Sequence, residues 1–130
     1  MNYLYILIGG GIGSLARFLT SKWVMSQTGS TFPWGTITVN LAGAFVIGFL
    51  TGLFERWAVP PQLRFFLIVG FLGGFTTFST FGLETFHLFK DSQFLLAVGN
   101  FLLTNLAGFI LVAAGYFAAG AFVRLLRYLM

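Results

Sequence analysis

The sequence predicts an all-helical membrane protein in which four transmembrane helices form one domain over residues 1–130. Three observations predict it: only 8% of the residues are charged, 58% are hydrophobic, and the few charges are separated by long apolar stretches. In an ordinary soluble domain about 25% of residues are charged, and a small domain needs polar groups over a large share of its surface. The composition therefore excludes a soluble monomer, and lipid is the expected surrounding.

Four apolar stretches are long enough for a membrane-spanning helix, which needs about 20 residues. We place these transmembrane helices at residues 3–25, 34–54, 64–89 and 94–123. The connections between them contain prolines, Gly29 and small polar residues, which favour turns. The first stretch begins without the basic residues of a secretory signal peptide, so we expect it to be retained as a helix. With four spans, both termini lie on the same side of the membrane.

The seven Lys and Arg residues are divided almost evenly between the two predicted sides of the membrane. The side of the termini receives four of them and the other side three: Arg56, Arg64, Arg124 and Arg127 against Arg17, Lys22 and Lys90. Because the orientation of membrane helices follows this charge bias, a chain with so little bias inserts in both directions and forms an antiparallel homodimer. Unique insertion that is directed by Arg56 or Arg127 is the alternative.

Small residues recur at intervals of four along the predicted helices. Examples are Gly9 with Gly13 in the first helix and Gly48 with Gly52 in the second. In lipid, such positions let two helix backbones approach closely. We interpret most of them as packing sites inside one subunit.

Two of the predicted helices carry polar side chains at membrane depth, where such groups are costly and often functional. Thr36 and Asn40 lie four residues apart in the second helix, and Asn100 and Thr104 have the same spacing in the fourth. Residues at this spacing share one face of a helix. Two such polar faces indicate a lined pathway, although hydrogen bonding between helices is the alternative interpretation.

The third predicted helix contains a segment that is poorly suited to a regular helix. It reads GGFTTFSTF from Gly73 to Phe81, and glycine and threonine both have low helix propensity. We therefore expect a break between Gly73 and Phe78, with freed carbonyls that can hold a small cation. Phe75, Phe78 and Phe81 repeat every three residues, and the electropositive edge of a phenyl ring attracts anions.

Three stretches of the sequence resemble the signature motifs of the Fluc (CrcB) family of fluoride channels. They are GGGIGSLARF at 9–18, GTITVNLAG at 35–43 and GGFTTFSTF at 73–81. The resemblance extends over the whole chain, because the length, the number of spans and the order of the motifs all agree. It implies passive, fluoride-selective efflux that lowers cytoplasmic fluoride, through two pores of a dual-topology homodimer. It also implies a multi-pass protein of the plasma (inner) membrane of a prokaryote.

The family resemblance further implies roles for individual residues. The implied fluoride pore is lined by aromatic and hydrogen-bonding side chains: Asn40, Phe78, Ser79, Thr80, Phe81, Asn100 and Thr104. Arg17 resembles the family arginine near the aqueous vestibule, and Glu84 resembles the acidic residue that follows the break. The carbonyls of Gly73 and Thr76 fall where the family binds a structural Na⁺. Asn100 and Thr104 depart from the pattern, because the family usually carries Tyr and Ser at these two places.

Two other functions compete with a fluoride channel. A small dual-topology, proton-coupled exporter has a similar length, but it needs a carboxylate in its first helix, and this helix has none. A non-transporting membrane subunit would use the polar and aromatic faces for packing alone. Enzymatic chemistry is not expected, because the sequence has no Cys and contains no catalytic triad, metal-ligand cluster or phosphate loop. The scattered basic residues form no nucleic-acid-binding patch.

Overall fold

Each apolar stretch of the sequence forms a helix in the structure, a computed structural model that describes residues 2–130. The first helix is Asn2–Thr28, the second is Trp34–Phe54, the third span is Pro61–Lys90 and the fourth helix is Phe94–Leu129. All four are long and apolar enough to cross a membrane. The prediction of a helical protein with four membrane-length helices is therefore confirmed.

Glycine and proline set the limits of several helices. The first helix ends just before Gly29, whose positive φ of 57° is a conformation that glycine adopts without strain. Pro33 immediately precedes the second helix. Pro61 is the first residue of the third span, where a missing N–H costs no helical hydrogen bond. The resulting connections are short, and consecutive helices are in contact.

Glycines bring the second and fourth helices into backbone contact. The second helix packs against the part of the fourth helix at Gly108–Leu129. A methyl group on Gly48 would collide with the Val112 carbonyl oxygen. One on Gly115 would collide with the carbonyl oxygen of Phe45. These two glycines therefore work as a pair, one from each helix, and set the distance between the backbones.

The same kind of packing joins the first helix to the third span. A methyl group on Gly13 would collide with the Phe71 carbonyl oxygen. In the opposite direction, one on Gly74 would collide with the carbonyl oxygen of Gly10. The small residues at these positions are packing sites inside one subunit, as the sequence predicts.

The third span is interrupted at Thr76 and Thr77. Thr76 has φ −87° and ψ 158°, and Thr77 has φ −151° and ψ 119°, so both are extended and not helical. We call the two parts half-helix 3a (residues 61–75) and half-helix 3b (Phe78–Lys90). The interruption lies within residues 73–78, and the predicted break is confirmed.

Two stretches of π-helix have no signal in the sequence. One is Phe65–Leu72 in half-helix 3a, and the other is Leu103–Ala107 in the fourth helix. A π-helical turn holds one more residue than an α-helical turn and often lies near a functional site. Here the first stretch ends at Leu72, shortly before the extended residues Thr76 and Thr77.

We predict that Gly13→Ala destabilises the protein and that Gly11→Ala does not. The methyl group added at position 13 would collide with the Phe71 carbonyl, whereas nothing lies within 4 Å of the same position on Gly11. Overpacking of this kind costs about 1–3 kcal/mol. Thermal unfolding in detergent, followed by circular dichroism, compares the two variants. Equal midpoints would contradict the close contact between the first helix and the third span.

Candidate functional site at the helix break

Asn40 holds the broken backbone of the third span with two hydrogen bonds. Its Nδ2 donates to the Thr77 carbonyl at 3.0 Å, and the Thr77 N–H donates to Asn40 Oδ1 at 2.7 Å. The side-chain amide of asparagine offers the same donor and acceptor types as a peptide group. It therefore replaces the helical partners that Thr77 lacks, and the sequence-predicted Asn40 lies directly at the break.

The same contact releases a carbonyl of half-helix 3a. In a continuous α-helix the Thr77 N–H would donate to the Gly73 carbonyl, four residues earlier, but here it donates to Asn40. Gly73 and Thr76, the two residues predicted to present carbonyls, both line a cavity of about 400 Å³ beside the break. Within residues 2–130, no group of three or more His, Asp or Glu side chains could hold a metal ion. The oxygen-bearing side chains that line this cavity include Asn40, Thr76 and Thr77.

Thr77 also caps the start of half-helix 3b. Its Oγ1 accepts a hydrogen bond from the Thr80 N–H at 3.2 Å, and its hydroxyl donates to Thr80 Oγ1 at 3.1 Å. Threonine at this position supplies a partner for a helix N–H that would otherwise be unpaired. Thr77 is buried, whereas Ser79 and Thr80 are exposed. The sequence prediction did not include Thr77, although a threonine just before a helix start is a signal that could have found it.

Two of the three predicted phenylalanines come together at the break. The ring centroids of Phe78 and Phe81 are 5.6 Å apart, and the Phe81 ring is in turn 6.4 Å from that of Phe101. Phe78 is 80% exposed in the single chain, whereas Phe81 is 4% exposed. Phe75 instead stacks on Phe71 at 5.7 Å within half-helix 3a. The break therefore separates Phe75 from the other two rings of the predicted row.

Two polar residues of the fourth helix, Asn100 and Thr104, lie next to half-helix 3b or the cavity beside the break. Thr104 lines the same cavity as Asn40 and Phe81. Asn100 has 0% of its surface exposed, and its Nδ2 donates to Thr85 Oγ1 at 2.9 Å. Thr85, like Thr77, is absent from the sequence-predicted set.

Glu84 lies in a second pocket, of about 230 Å³, between the first helix, the second helix and half-helix 3b. Its Oε1 accepts a hydrogen bond from Thr36 Oγ1 at 2.8 Å, and its Oε2 is buried without a hydrogen-bond partner in the described chain. Lys22 lines the same pocket. Arg17 is half-buried in the first helix and lines neither of the two pockets.

The fold and the site together define a class of protein. It is a multi-pass membrane protein whose third span is broken beside a cavity lined by amide, hydroxyl and aromatic groups. The family model described as "CrcB-like protein, Camphor Resistance (CrcB)" matches residues 4–116. The chain belongs to this family.

Relatives from several bacteria are similar over nearly the full length of the chain. A protein of Hydrogenobaculum sp. (strain Y04AAS1) is 47% identical over 121 residues, which cover 92% of this chain and 98% of that protein. One of Methylocella silvestris is 42% identical over 124 residues, which cover 93% and 95%. One of Desulforapulum autotrophicum is 44% identical over 115 residues, which cover 88% and 92%.

All three relatives are named fluoride-specific ion channel FluC. The resemblance to the Fluc (CrcB) family that the sequence motifs indicate is therefore confirmed. Because these relatives are channels, the family also confirms that the protein is not an enzyme.

We predict that Asn40→Leu lowers thermal stability more than Asn105→Leu does. Loss of the Asn40 amide leaves the N–H and the carbonyl of Thr77 without partners, and each buried unpaired group costs about 1–3 kcal/mol. Asn105 is a suitable control, because it donates to the Phe101 carbonyl of its own helix. Unfolding midpoints in detergent compare the variants. A loss at position 105 as large as that at position 40 would contradict the role of Asn40 at the break.

Proposed function

We propose that this protein is a fluoride-specific ion channel that mediates passive fluoride efflux and lowers the cytoplasmic fluoride concentration. The observation that carries the proposal is the near-full-length similarity to relatives named fluoride-specific ion channels. The site supports it as well, because neutral hydrogen-bond donors and phenyl rings gather at the helix break. The first helix carries no carboxylate that could couple transport to protons.

The proposed pore offers fluoride neutral donors in place of water. A conducting site must bind the ion well enough to replace its hydration and weakly enough to release it. Asn40 Nδ2 has two hydrogens and uses one of them at the Thr77 carbonyl, so the second is left for an anion. Thr80 Oγ1 accepts from Thr77, so its own proton is available, and Ser79 is an exposed hydroxyl beside it.

Phe78 and Phe81 contribute the aromatic part of the proposed pore. The edge of a phenyl ring carries a diffuse positive potential, which attracts an anion without the strong binding of a full positive charge. The two rings lie on successive turns of half-helix 3b, 5.6 Å apart, beside the hydroxyl groups of Ser79 and Thr80. An anion passing this segment would therefore meet ring edges and hydroxyl donors in turn.

Other residues complete the proposed pathway. Thr104 lines the side formed by the fourth helix and donates a hydrogen bond to the buried Asn100, and Glu84 belongs to the region after the break. Arg17 belongs to the aqueous vestibule, where its charge raises the local anion concentration within about 8–10 Å at physiological salt.

The working assembly in this proposal is an antiparallel homodimer with two pores. Phe78 and Phe109 are 80% and 75% exposed in the single chain, and both line the open cavity beside the break. In a dimer with a two-fold axis, the same face of a second copy would pack against this face and cover it. The nearly even division of Lys and Arg supports insertion of the chain in both orientations.

A structural Na⁺ at the centre of the dimer is part of the proposal. Gly73 and Thr76 would hold it through their carbonyl oxygens. The Gly73 carbonyl is available for this role because the Thr77 N–H donates to Asn40 and not to it. Hard cations bind several oxygen ligands, and two carbonyls from one chain are too few. A second copy would double the number. The positive ion would attract carbonyl oxygens of both broken spans and so hold the two subunits together.

The proposed location is the plasma (inner) membrane of a bacterium. The relatives described above are bacterial, and the four membrane-length helices require a lipid environment. In this membrane, a passive channel lets fluoride leave the cytoplasm down its electrochemical gradient.

Purified protein in liposomes loaded with potassium fluoride tests the proposal. When a K⁺ ionophore balances the charge, we expect rapid fluoride release, measured with a fluoride electrode, while liposomes loaded with chloride retain their contents. Absence of fluoride release, or equal release of chloride, would contradict a fluoride-specific channel. Release that depends on a pH gradient would instead favour the proton-coupled exporter.

We predict that Phe81→Ile and Asn40→Asp each suppress this fluoride flux by about tenfold or more, which corresponds to a barrier raised by at least about 1.4 kcal/mol. The first removes a ring edge from the pathway, and the second places a negative charge where an anion must pass. Phe86→Ile is the matched control, because Phe86 lies on the same half-helix, is 59% exposed and does not line the cavity. Unchanged flux in both pore variants would mean that the pore lies elsewhere.

A further inference from the structure

A chain of three hydrogen bonds connects the fourth helix to half-helix 3b. The Thr104 hydroxyl donates to Asn100 Oδ1 at 3.3 Å, and Asn100 Nδ2 donates to Thr85 Oγ1 at 2.9 Å. The Thr85 hydroxyl then donates to the Phe81 carbonyl at 2.7 Å. Asn100 is completely buried at the centre of this chain.

In each of these three hydrogen bonds it is determined which group donates and which accepts. A threonine hydroxyl has a single proton, and Thr85 uses its proton at the Phe81 carbonyl, so its oxygen can only accept from Asn100. This requirement turns the Nδ2 of Asn100 towards Thr85 and its Oδ1 towards Thr104. The Thr104 proton is then directed at Asn100 and not at the cavity that Thr104 lines.

The fourth helix therefore holds Phe81 at two points. Asn100 acts on the Phe81 backbone through Thr85, and the next residue, Phe101, packs its ring 6.4 Å from the Phe81 ring. Phe81 is 4% exposed, whereas Phe78, one turn away, is 80% exposed. Phe81 is thus linked to the fourth helix by its ring, through Phe101, and indirectly by its carbonyl, through Thr85 of its own half-helix.

We propose that Asn100 is a positioning residue, which fixes the place of Phe81 through Thr85 and orients the Thr104 hydroxyl, and that it does not itself contact the conducted ion. Its full burial and the engagement of both its amide atoms support this role. The inference rests on the proposed function, because it takes Phe81 and Thr104 to be pore residues.

The first test is fluoride flux through liposomes that contain Thr85 variants. Thr85→Val keeps the side-chain volume but removes the hydroxyl. The buried Asn100 Nδ2 then has no acceptor, so we expect the flux to fall about tenfold. Thr85→Ser keeps the hydroxyl and should restore the flux to within about twofold of wild type. Thr51→Val, the same change in the second helix, is the control and should conduct normally.

The second test reports on Phe81 without any transport. A single 4-fluorophenylalanine is incorporated at position 81, and the ¹⁹F NMR signal of its ring is recorded in detergent. Thr85→Val and Asn100→Leu should shift or broaden this signal in the same way, while Thr85→Ser and Thr51→Val should leave it at the wild-type position. If Asn100→Leu does not fold, the signal of Thr85→Val is compared with those of Thr85→Ser and the wild type.

The outcomes separate the inference from the proposed function. A wild-type protein that releases no fluoride would overturn the channel, while the ring signal still tests the positioning of Phe81. A conducting wild type whose Thr85→Val variant keeps both its flux and its ring signal would overturn the inference. Altered flux with an unchanged ring signal would do the same, because Asn100 and Thr85 would then act directly on the ion.

Discussion

The site depends on the two hydrogen bonds between Asn40 and Thr77. In the interior of a bilayer no water pairs with a free N–H or carbonyl, so extended backbone persists only where protein supplies the partners. Asn40 supplies both, at 3.0 and 2.7 Å. Everything else at the break follows from this contact. The Gly73 carbonyl loses its helical donor, Thr77 becomes the cap of half-helix 3b, and this half-helix begins at Phe78.

Close backbone packing is what lets this contact form. Gly43 lies one turn after Asn40, and a methyl group there would collide with the Thr76 side chain. Asn40 therefore supplies the hydrogen bonds and Gly43 the space on one face of the second helix. On the opposite side of the break, Gly74 packs against the Gly10 carbonyl in the first helix. The glycine-rich motifs of the sequence thus share one structural role, which is to hold the interrupted span between two helices.

The sequence predicts the four helices and the position of the break because both arise from local chemistry. Charges mark the ends of apolar stretches, and two glycines followed by threonines weaken a helix wherever they occur. It does not predict Thr85, because the value of that hydroxyl depends on Asn100, fifteen residues away on another helix. The grouping of Phe75 with Phe78 and Phe81 assumes a continuous helix, which the extended backbone of Thr76 and Thr77 removes. The π-helical stretches at Phe65–Leu72 and Leu103–Ala107 likewise leave no mark on composition.

The measurement that tests this account most directly is hydrogen exchange at the Thr77 backbone amide, observed by NMR with the protein in lipid. The account predicts slow exchange in the wild type, because Asn40 Oδ1 holds this N–H within a buried residue. In Asn40→Leu it predicts faster exchange at Thr77, because Thr77 lines the cavity of about 400 Å³ beside the break, from which water can reach a released N–H. Exchange at Thr76, whose N–H donates to the Leu72 carbonyl, should not change. Equal protection of Thr77 in both proteins would mean that something other than Asn40 holds the break, and the account would be contradicted.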